Sequence, residues 1–228
     1  MEKKKLVILT GAGMSAESGI STFRDSDGLW EHYRVEDVAT PEGFARNPQL
    51  VLDFYNQRRR ELLKTHPNNG HLGLAKLEER YDVRIITQNI DNLHERAGSS
   101  HIIHLHGELM KACSVRDLNT TYDLSPEHPD IHLGDKDPYG DQLRPFVVWF
   151  GEPVPMIEPA IREVESSDIF VIIGTSLNVY PAAGLLNYVR RGQPIYLIDP
   201  KEVPTYRRDI EHIQCGASEG VKKLNELL

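Results

Sequence analysis

Gly11-Ala12-Gly13-Met14-Ser15-Ala16 follows directly on the apolar run Leu6-Val7-Ile8-Leu9. The spacing is G-x-G-x-x-G/A, in which glycines let the backbone approach a pyrophosphate. N–H groups at the start of the following helix then present partial positive charge to the anion. An ordinary glycine turn between strand and helix has the same spacing, so the motif alone points to a dinucleotide and to a plain turn about equally. Dinucleotide sites of this kind also use an acidic residue about 20 positions further on, at the end of the second strand, to bind ribose hydroxyls. Glu36 and Asp37 fall near that distance, but no apolar strand precedes them; Asp199, directly after Ile195-Tyr196-Leu197-Ile198, has the right character and place.

A second group with chemical potential lies in His101-Ile102-Ile103-His104-Leu105-His106. On a strand, period-two alternation puts His104 and His106 on one face. The residues alone allow a metal pair or two structural histidines with satisfied hydrogen bonds. Cys113 and Cys215 form neither a disulfide framework nor a Cys-x-x-Cys metal pair, which fits a reducing compartment and a cytoplasmic protein. The local basic run Arg58-Arg59-Arg60 reads by composition as a solvated helix face. A net charge of -8 leaves no global basic field, so nonspecific nucleic-acid binding is not expected.

These groups need a scaffold. Leu6–Leu9, Val83–Ile86, Ile169–Ile173 and Ile195–Ile198 are short apolar runs ending in polar or glycine-containing segments, as buried parallel strands do. Helical patterns lie between and around them: from about Ser15, then Pro48–Lys64, Gly70–Arg80, Ile157–Ser166, Ala182–Arg190 and Val221–Leu228. The alternation predicts an α/β fold, a Rossmann-type doubly wound parallel sheet whose ligands bind beyond the carboxyl ends of the strands. Residues 28–64 and 112–145 break the alternation and are expected to form a smaller lobe as two insertions. The discontinuous main domain then comprises 1–27, 65–111 and 146–228. The apolar run after Met1-Glu2-Lys3-Lys4-Lys5 is too short for a signal peptide or a membrane span, so no membrane partner is expected.

The first motif extends through Glu17-Ser18-Gly19-Ile20-Ser21-Thr22-Phe23-Arg24, and in this longer form closely resembles the cofactor loop of the sirtuins. The resemblance continues, in family order, through Thr87-Gln88-Asn89-Ile90-Asp91, His106-Gly107, Val147-Val148-Trp149-Phe150-Gly151-Glu152, Gly174-Thr175-Ser176 and Val179-Tyr180-Pro181-Ala182-Ala183. It implies an NAD-dependent protein-lysine deacylase, with NAD and acylated lysine meeting in a cleft between a Rossmann domain and the smaller lobe. By the family pattern, Gly11, Ala12, Gly13, Ala16, Phe23, Arg24, Gln88, Asn89, Ile90, Asp91, His106, Gly174, Thr175, Ser176, Asp199 and Ala217 contact or position NAD. His106 is the implied general base, suited to the task because a histidine pKa lies near working pH. Asn89 and Asp91 orient the reacting groups. Val147, Trp149, Phe150, Gly151 and Glu152 line the substrate cleft, although Trp149 and Phe150 read equally well as core packing.

Tyr55 and Arg58 resemble the Tyr-x-x-Arg element of sirtuins that remove succinyl and malonyl groups. Three positions apart on a helix, they share a face and can meet one carboxylate. Two departures stand out. Sirtuins usually hold a structural zinc with four cysteines, and only Cys113 stands where the first would fall. His128, His132, Asp135 and Asp137 give weak spacing support for a substitute, so a lobe without zinc is expected. Asp199 stands where the family commonly has asparagine, and its charge disfavours a 2'-phosphate, favouring NAD over NADP. Competing readings are an ADP-ribosyltransferase or NAD hydrolase, and a non-enzymatic NAD-sensing module.

Overall fold

The computed structural model describes residues 3–21 and 33–228. In chain order its strands are β1 (Lys5–Thr10), β2 (Asp82–Thr87), β3 (Ile102–His104), β4 (Gly107–Ser114), β5 (Thr121–Asp123), β6 (Leu143–Val147), β7 (Ile169–Ile173), β8 (Ile195–Ile198) and β9 (Ile210–Ile213). The helices are α1 (Gly13–Ala16), α2 (Val35–Val38), α3 (Pro41–Arg46), α4 (Pro48–Leu62), α5 (Asn69–Leu77), α6 (Leu93–Ala97), α7 (Ile157–Glu165) and α8 (Ala217–Leu227). Ala182–Tyr188 is a 3-10 helix.

One sheet runs β3-β2-β1-β7-β8-β9, with every neighbouring pair parallel. Counting only its own strands, the order is that of a dinucleotide-binding sheet, 3-2-1-4-5-6, which reverses direction between β1 and β7. Alternation along each strand fills two cores. Leu6 and Ile8 face one side, where Leu74 and Leu77 of α5 and Val221 and Leu224 of α8 cover them. Val7 and Leu9 face the other, under Ala160 and Val164 of α7 and Leu185 and Leu186 of the 3-10 helix. Such side chains each contribute roughly 1.5–3 kcal/mol on full burial. With both faces covered, the strands are continuous apolar runs.

The second sheet is antiparallel, β5-β4-β6, and packs with α2–α4. α4 begins where the Asn47 side chain accepts the Leu50 N–H at 3.1 Å, with Pro48 at its first position. Its three arginines do not form the solvated face that composition suggests. Arg59 is fully buried and donates to the carbonyls of Pro129 (2.5 Å) and Leu109 (3.4 Å) and to the Asn56 side chain. Asn56 in turn exchanges two hydrogen bonds of 2.9 Å with the main chain of Ile131. Arg60 is exposed and pairs with Asp130, while Arg58 lines the central cavity. Sequence composition cannot tell which of three adjacent arginines the helix turns inward.

Other boundaries move by the length of a turn. The helix expected from Ser15 begins at Gly13, the C-terminal one begins at Ala217 rather than Val221, and the 182–190 segment is a 3-10 helix that ends at Tyr188. Among the described residues no helix is long and apolar enough to cross a membrane.

Candidate functional site

A cavity of about 610 Å³ opens at the carboxyl ends of β1 and β7, where the strand order reverses. Its first wall is the glycine turn. The Gly11 N–H donates to the Ile173 carbonyl (2.9 Å) and the Gly13 N–H to that of Gly174 (2.8 Å), lacing β1 to β7. A Cβ on Gly13 would stand 2.7 Å from Gly174 Cα, so any side chain there would push the two loops apart. Gly174 itself has φ +63. The amides of Met14 and Ser15 are also taken, by Gly11 and Ala12 carbonyls. The row of free N–H groups expected at the helix start is therefore mostly engaged. Among the described residues the Ala12 N–H is the turn amide with no main-chain acceptor.

Gly11, Ala12, Gly13, Ala16, Gly174, Thr175, Ser176 and Asp199 all line this cavity. The Gln88 amide reaches Thr175 Oγ1 across it at 3.1 Å. Ala217 does not line it: it is buried in the α5–α8 core, and its neighbour Gly216 takes the place at the wall. Phe23 and Arg24 lie outside the described residues.

The second wall is the loop after β2. Gln88, Asn89, Ile90 and Asp91 all line the cavity. Asn89 donates from its side chain to the Gly11 carbonyl (3.0 Å) and to Ser15 Oγ (3.2 Å), and Ser15 Oγ donates to Asp91 Oδ2 (2.9 Å). Burial raises the Asp91 pKa against the opposing pull of the Leu93 N–H and Ser15. Ser15 thus ties this loop to the glycine turn, a role hidden in the x positions of the motif.

β3 ends at His104, shorter than the strand read through His106, yet both rings face the 88–91 loop. His106 Nδ1 lies 3.0 Å from the Gln88 carbonyl. A carbonyl only accepts, so Nδ1 carries the proton and the neutral ring keeps its lone pair on Nε2. Burial lowers the His106 pKa below its ordinary 6.5, partly offset by the Gln88 bond, so the ring is a free base at neutral pH.

Behind the loop, His71 and His94 stack edge to face, 4.8 Å between centroids, and both are buried. His71 Nδ1 accepts the Asn68 N–H (3.3 Å) in the capping box of α5, and His94 Nε2 meets Thr10 Oγ1 at 3.1 Å. Burial, foremost, pushes His71 from 6.5 down to about 4 and lowers His94 as well. A depressed histidine contributes stability that is complete above its unfolded pKa and is lost as pH falls toward the folded one. Wild type should therefore lose up to about 3 kcal/mol through His71 between pH 6.5 and pH 4. Urea unfolding at several pH values, on wild type and His71→Gln, checks this. Equal acid losses in both proteins would rule out the histidine as the cause.

The third wall comes from α4 and the segment after β6. Tyr55 and Arg58 both line the cavity, as the helical spacing requires. Tyr55 is buried, its oxygen accepts the Trp149 indole N–H at 3.0 Å, and burial pushes its pKa up to about 12, so it remains a phenol that can donate. β6 stops at Val147, and 148–152 form a turn. Val147, Trp149, Phe150, Gly151 and Glu152 all line the cavity. Trp149 is also core, buried against Tyr55 and Phe44, whereas Phe150 is about half exposed. Arg144, which nothing in the sequence marks, grips Glu152 from below with two hydrogen bonds, 2.6 and 3.0 Å, and lies 3.4 Å over the Trp149 ring.

Among the described residues, those weighed for zinc do not come together in one group. Cys113 Sγ is buried against the Pro145 carbonyl, and His132 pairs with Asp135 at the surface. Among the described residues, the group close enough to hold a metal is Glu95, His104 and Glu108. Both ring nitrogens of His104 are engaged within the protein, with the Asn89 carbonyl and Glu95.

A parallel 3-2-1-4-5-6 sheet, with a glycine turn and a free-base histidine at its switch point, defines a Rossmann-type dinucleotide-binding protein. The Sir2 family model matches residues 11–181, and the chain belongs to that family. It is 65% identical over 229 residues to an NAD-dependent protein deacylase of Bacteroides thetaiotaomicron, covering 99% of this chain and 98% of the relative. A protein of the same description from Helicobacter pylori is 51% identical over 225 residues, with 99% and 96% covered. A crystal structure of a Sir2 homolog–NAD complex superposes with a TM-score of 0.86 at 42% identity, covering 99% of this chain and 91% of that one. A Sir2–p53 peptide–NAD structure gives 0.80 at 32%, covering 99% and 94%.

Proposed function

We infer that the chain is an NAD-dependent protein-lysine deacylase that yields nicotinamide, O-acyl-ADP-ribose and free lysine. The observation that carries this reading is His106, held by the Gln88 carbonyl in the tautomer of a base. It stands in one cavity with the glycine turn on one side and the Val147–Glu152 segment on the other. When bound, NAD supplies a sugar carbon that releases nicotinamide and takes up the acyl oxygen. The chain's residues do the rest. The glycine turn, held close against Gly174, presents its backbone and the Ala12 N–H to a pyrophosphate at the cavity wall. The Asp199 carboxylate, beyond β8, accepts from ribose hydroxyls. Asn89 and Asp91, fixed through Ser15, orient the reacting end, and His106 Nε2 takes the proton of a ribose hydroxyl so that its oxygen can attack the acyl carbon, whose bond to the lysine nitrogen then breaks, with a water consumed, to free the amine. An acylated peptide lies along the segment after β6, whose residues line the cavity.

The smaller lobe in this reading is the antiparallel sheet with α2–α4, from the expected insertions 28–64, described from residue 33, and 112–145, with β4 and β6 reaching beyond the second to Gly107 and Val147, and it is read without zinc. Two free cysteines, Cys113 and Cys215, accord with a cytoplasmic setting.

Tyr55 and Arg58 extend the reading to acidic acyl groups. A succinyl or malonyl carboxylate brought beside Arg58 favours its charged form, which burial disfavours, and Tyr55 can donate a second bond. One experiment tests the whole proposal: NAD consumption by wild type and Arg58→Met with no peptide, acetyl-lysine peptide and succinyl-lysine peptide. Wild type is expected to consume NAD only with peptide. Arg58→Met is expected to lose roughly tenfold or more in kcat/KM for succinyl-lysine and much less for acetyl-lysine. Peptide-independent release of ADP-ribose would instead favour a hydrolase, no consumption at all a binding module, and equal losses on both peptides would return Arg58 to a structural role.

A further inference from the structure

His104 and His106 use the same device on adjacent peptides. His106 Nδ1 holds the Gln88 carbonyl at 3.0 Å and His104 Nδ1 holds the Asn89 carbonyl at 3.1 Å. The difference lies at the other ring nitrogen. His106 Nε2 faces the cavity, whereas His104 Nε2 lies 2.7 Å from Glu95 Oε1 on α6. A carbonyl and a carboxylate both only accept, and a neutral imidazole has one N–H. Both bonds exist together only when the ring is an imidazolium. We propose that His104, as an imidazolium, is a positioning residue that staples the Asn89 carbonyl to Glu95 and thereby holds the 88–91 loop in the form that receives NAD.

What hangs on that carbonyl gives the staple its purpose. The same residue's side chain reaches Gly11 and Ser15, its N–H donates to Thr87 Oγ1 at 3.0 Å, and Asp91 follows two residues on. A deprotonated His104 would keep its one N–H on the charged Glu95, the stronger acceptor, and aim its lone pair at the Asn89 carbonyl. The peptide would then be free to rotate and draw the Asn89 side chain off the glycine turn. Charges around the ring come from three elements. Glu95 on α6 is its direct partner, Glu108 on β4 stands close by with Lys111 paired to it at 2.8 Å, and Asp91 is in the loop itself. His94, on α6, is held neutral by burial and adds no charge. Burial opposes the charge on His104, but the Glu95 bond and charge, Glu108 and the Asn89 carbonyl together outweigh it and raise its pKa above 6.5. Two histidines two residues apart are thus driven in opposite directions, one to a neutral base and the other to a fixed cation.

The inference rests on the NAD site proposed above, and the readout is NAD affinity rather than turnover. NAD dissociation constants are measured by calorimetry from pH 6 to 9 for wild type, His104→Gln and Glu95→Gln. The protonation of His104 is followed in parallel by nitrogen-15 NMR of histidine-labelled wild type and Glu95→Gln. Wild type is expected to show both His104 nitrogens protonated at pH 6.5 and to lose roughly tenfold in NAD affinity as the ring deprotonates, the size of one hydrogen bond to a charged group. His104→Gln, whose single amide nitrogen cannot span the two partners that the ring reaches from opposite sides, should bind about tenfold more weakly at pH 6.5 and lack that pH step. Glu95→Gln keeps an acceptor but removes the charge, and should move the affinity step and the NMR midpoint to lower pH together. A neutral His104 at pH 6.5, an affinity step that does not follow the NMR midpoint, or a wild-type profile in His104→Gln would each overturn the proposal. Should His104→Gln fail to fold, wild type and Glu95→Gln still decide it. No NAD binding by wild type at any pH would strike the NAD reading itself, a distinct failure.

Discussion

Replacing His106 with alanine is expected to lower acyl-lysine turnover by roughly 100-fold to 10,000-fold, the usual contribution of a general base, while NAD still binds. The expectation follows from what the ring does and does not hold. Its Nδ1–H is committed to the Gln88 carbonyl, and its Nε2 faces the cavity, so alanine removes one proton acceptor from the site. The glycine turn, closed by the bonds from Gly11 and Gly13 to β7 and Gly174, does not depend on that ring. Turnover and the NAD dissociation constant, measured on the same preparation, separate the two effects. Because burial lowers the His106 pKa below 6.5, wild-type kcat should stay level through neutral pH and fall only on the acid side of that value. Near-normal turnover by the alanine variant would sink the assignment, and an acid limb centred above 6.5 would place the base elsewhere.

How far such a site can be read in advance depends on whether its residues act through chain-local or chain-distant geometry. The glycine turn is local: a strand, two glycines and a helix within the twelve residues Lys5–Ala16 fix its shape, so Gly11, Gly13 and the sheet around them were legible. The strands were legible for the same reason, since covering both faces of a parallel sheet leaves apolar runs that no other burial pattern explains as simply. The shared orientation of His104 and His106 came from period-two alternation and survives the early end of β3, because both rings still turn to the same loop. Which nitrogen bears the proton was not legible, since that depends on carbonyls fifteen or more positions away. Arg59 shows the same limit: its acceptors at Pro129 and Leu109 come from other elements, and a run of three arginines carries no sign of which is buried. Ser15 and Arg144 were overlooked because each acts by holding another residue, Asp91 and Glu152, and neither carries a chemistry recognisable by its type and spacing.

Arg144→Met is expected to destabilise the protein by about 3–5 kcal/mol, as breaking one side of a buried ion pair does. The Arg144 and Glu152 side chains are 6% and 12% exposed, and their two hydrogen bonds of 2.6 and 3.0 Å form a fork that solvent barely reaches. Methionine fills similar length but leaves the Glu152 carboxylate with only the Trp149 N–H, 2.8 Å away, and frees the Val147 carbonyl that Arg144 holds at 2.8 Å. It also strips the cation from the face of Trp149, whose indole N–H orients Tyr55. The damage is therefore expected on the acyl side of the cleft, with the NAD dissociation constant little changed because the glycine turn lies on the opposite wall. The double variant Arg144→Met/Glu152→Gln no longer buries an unpaired charge, so it should be more stable than the sum of the two single losses allows, by more than about 1 kcal/mol of coupling. Urea unfolding of wild type, both single variants and the double variant measures that cycle directly. A loss below about 1 kcal/mol for Arg144→Met would mean that the pair is effectively solvated and that the turn after β6 is held by packing around Trp149 alone.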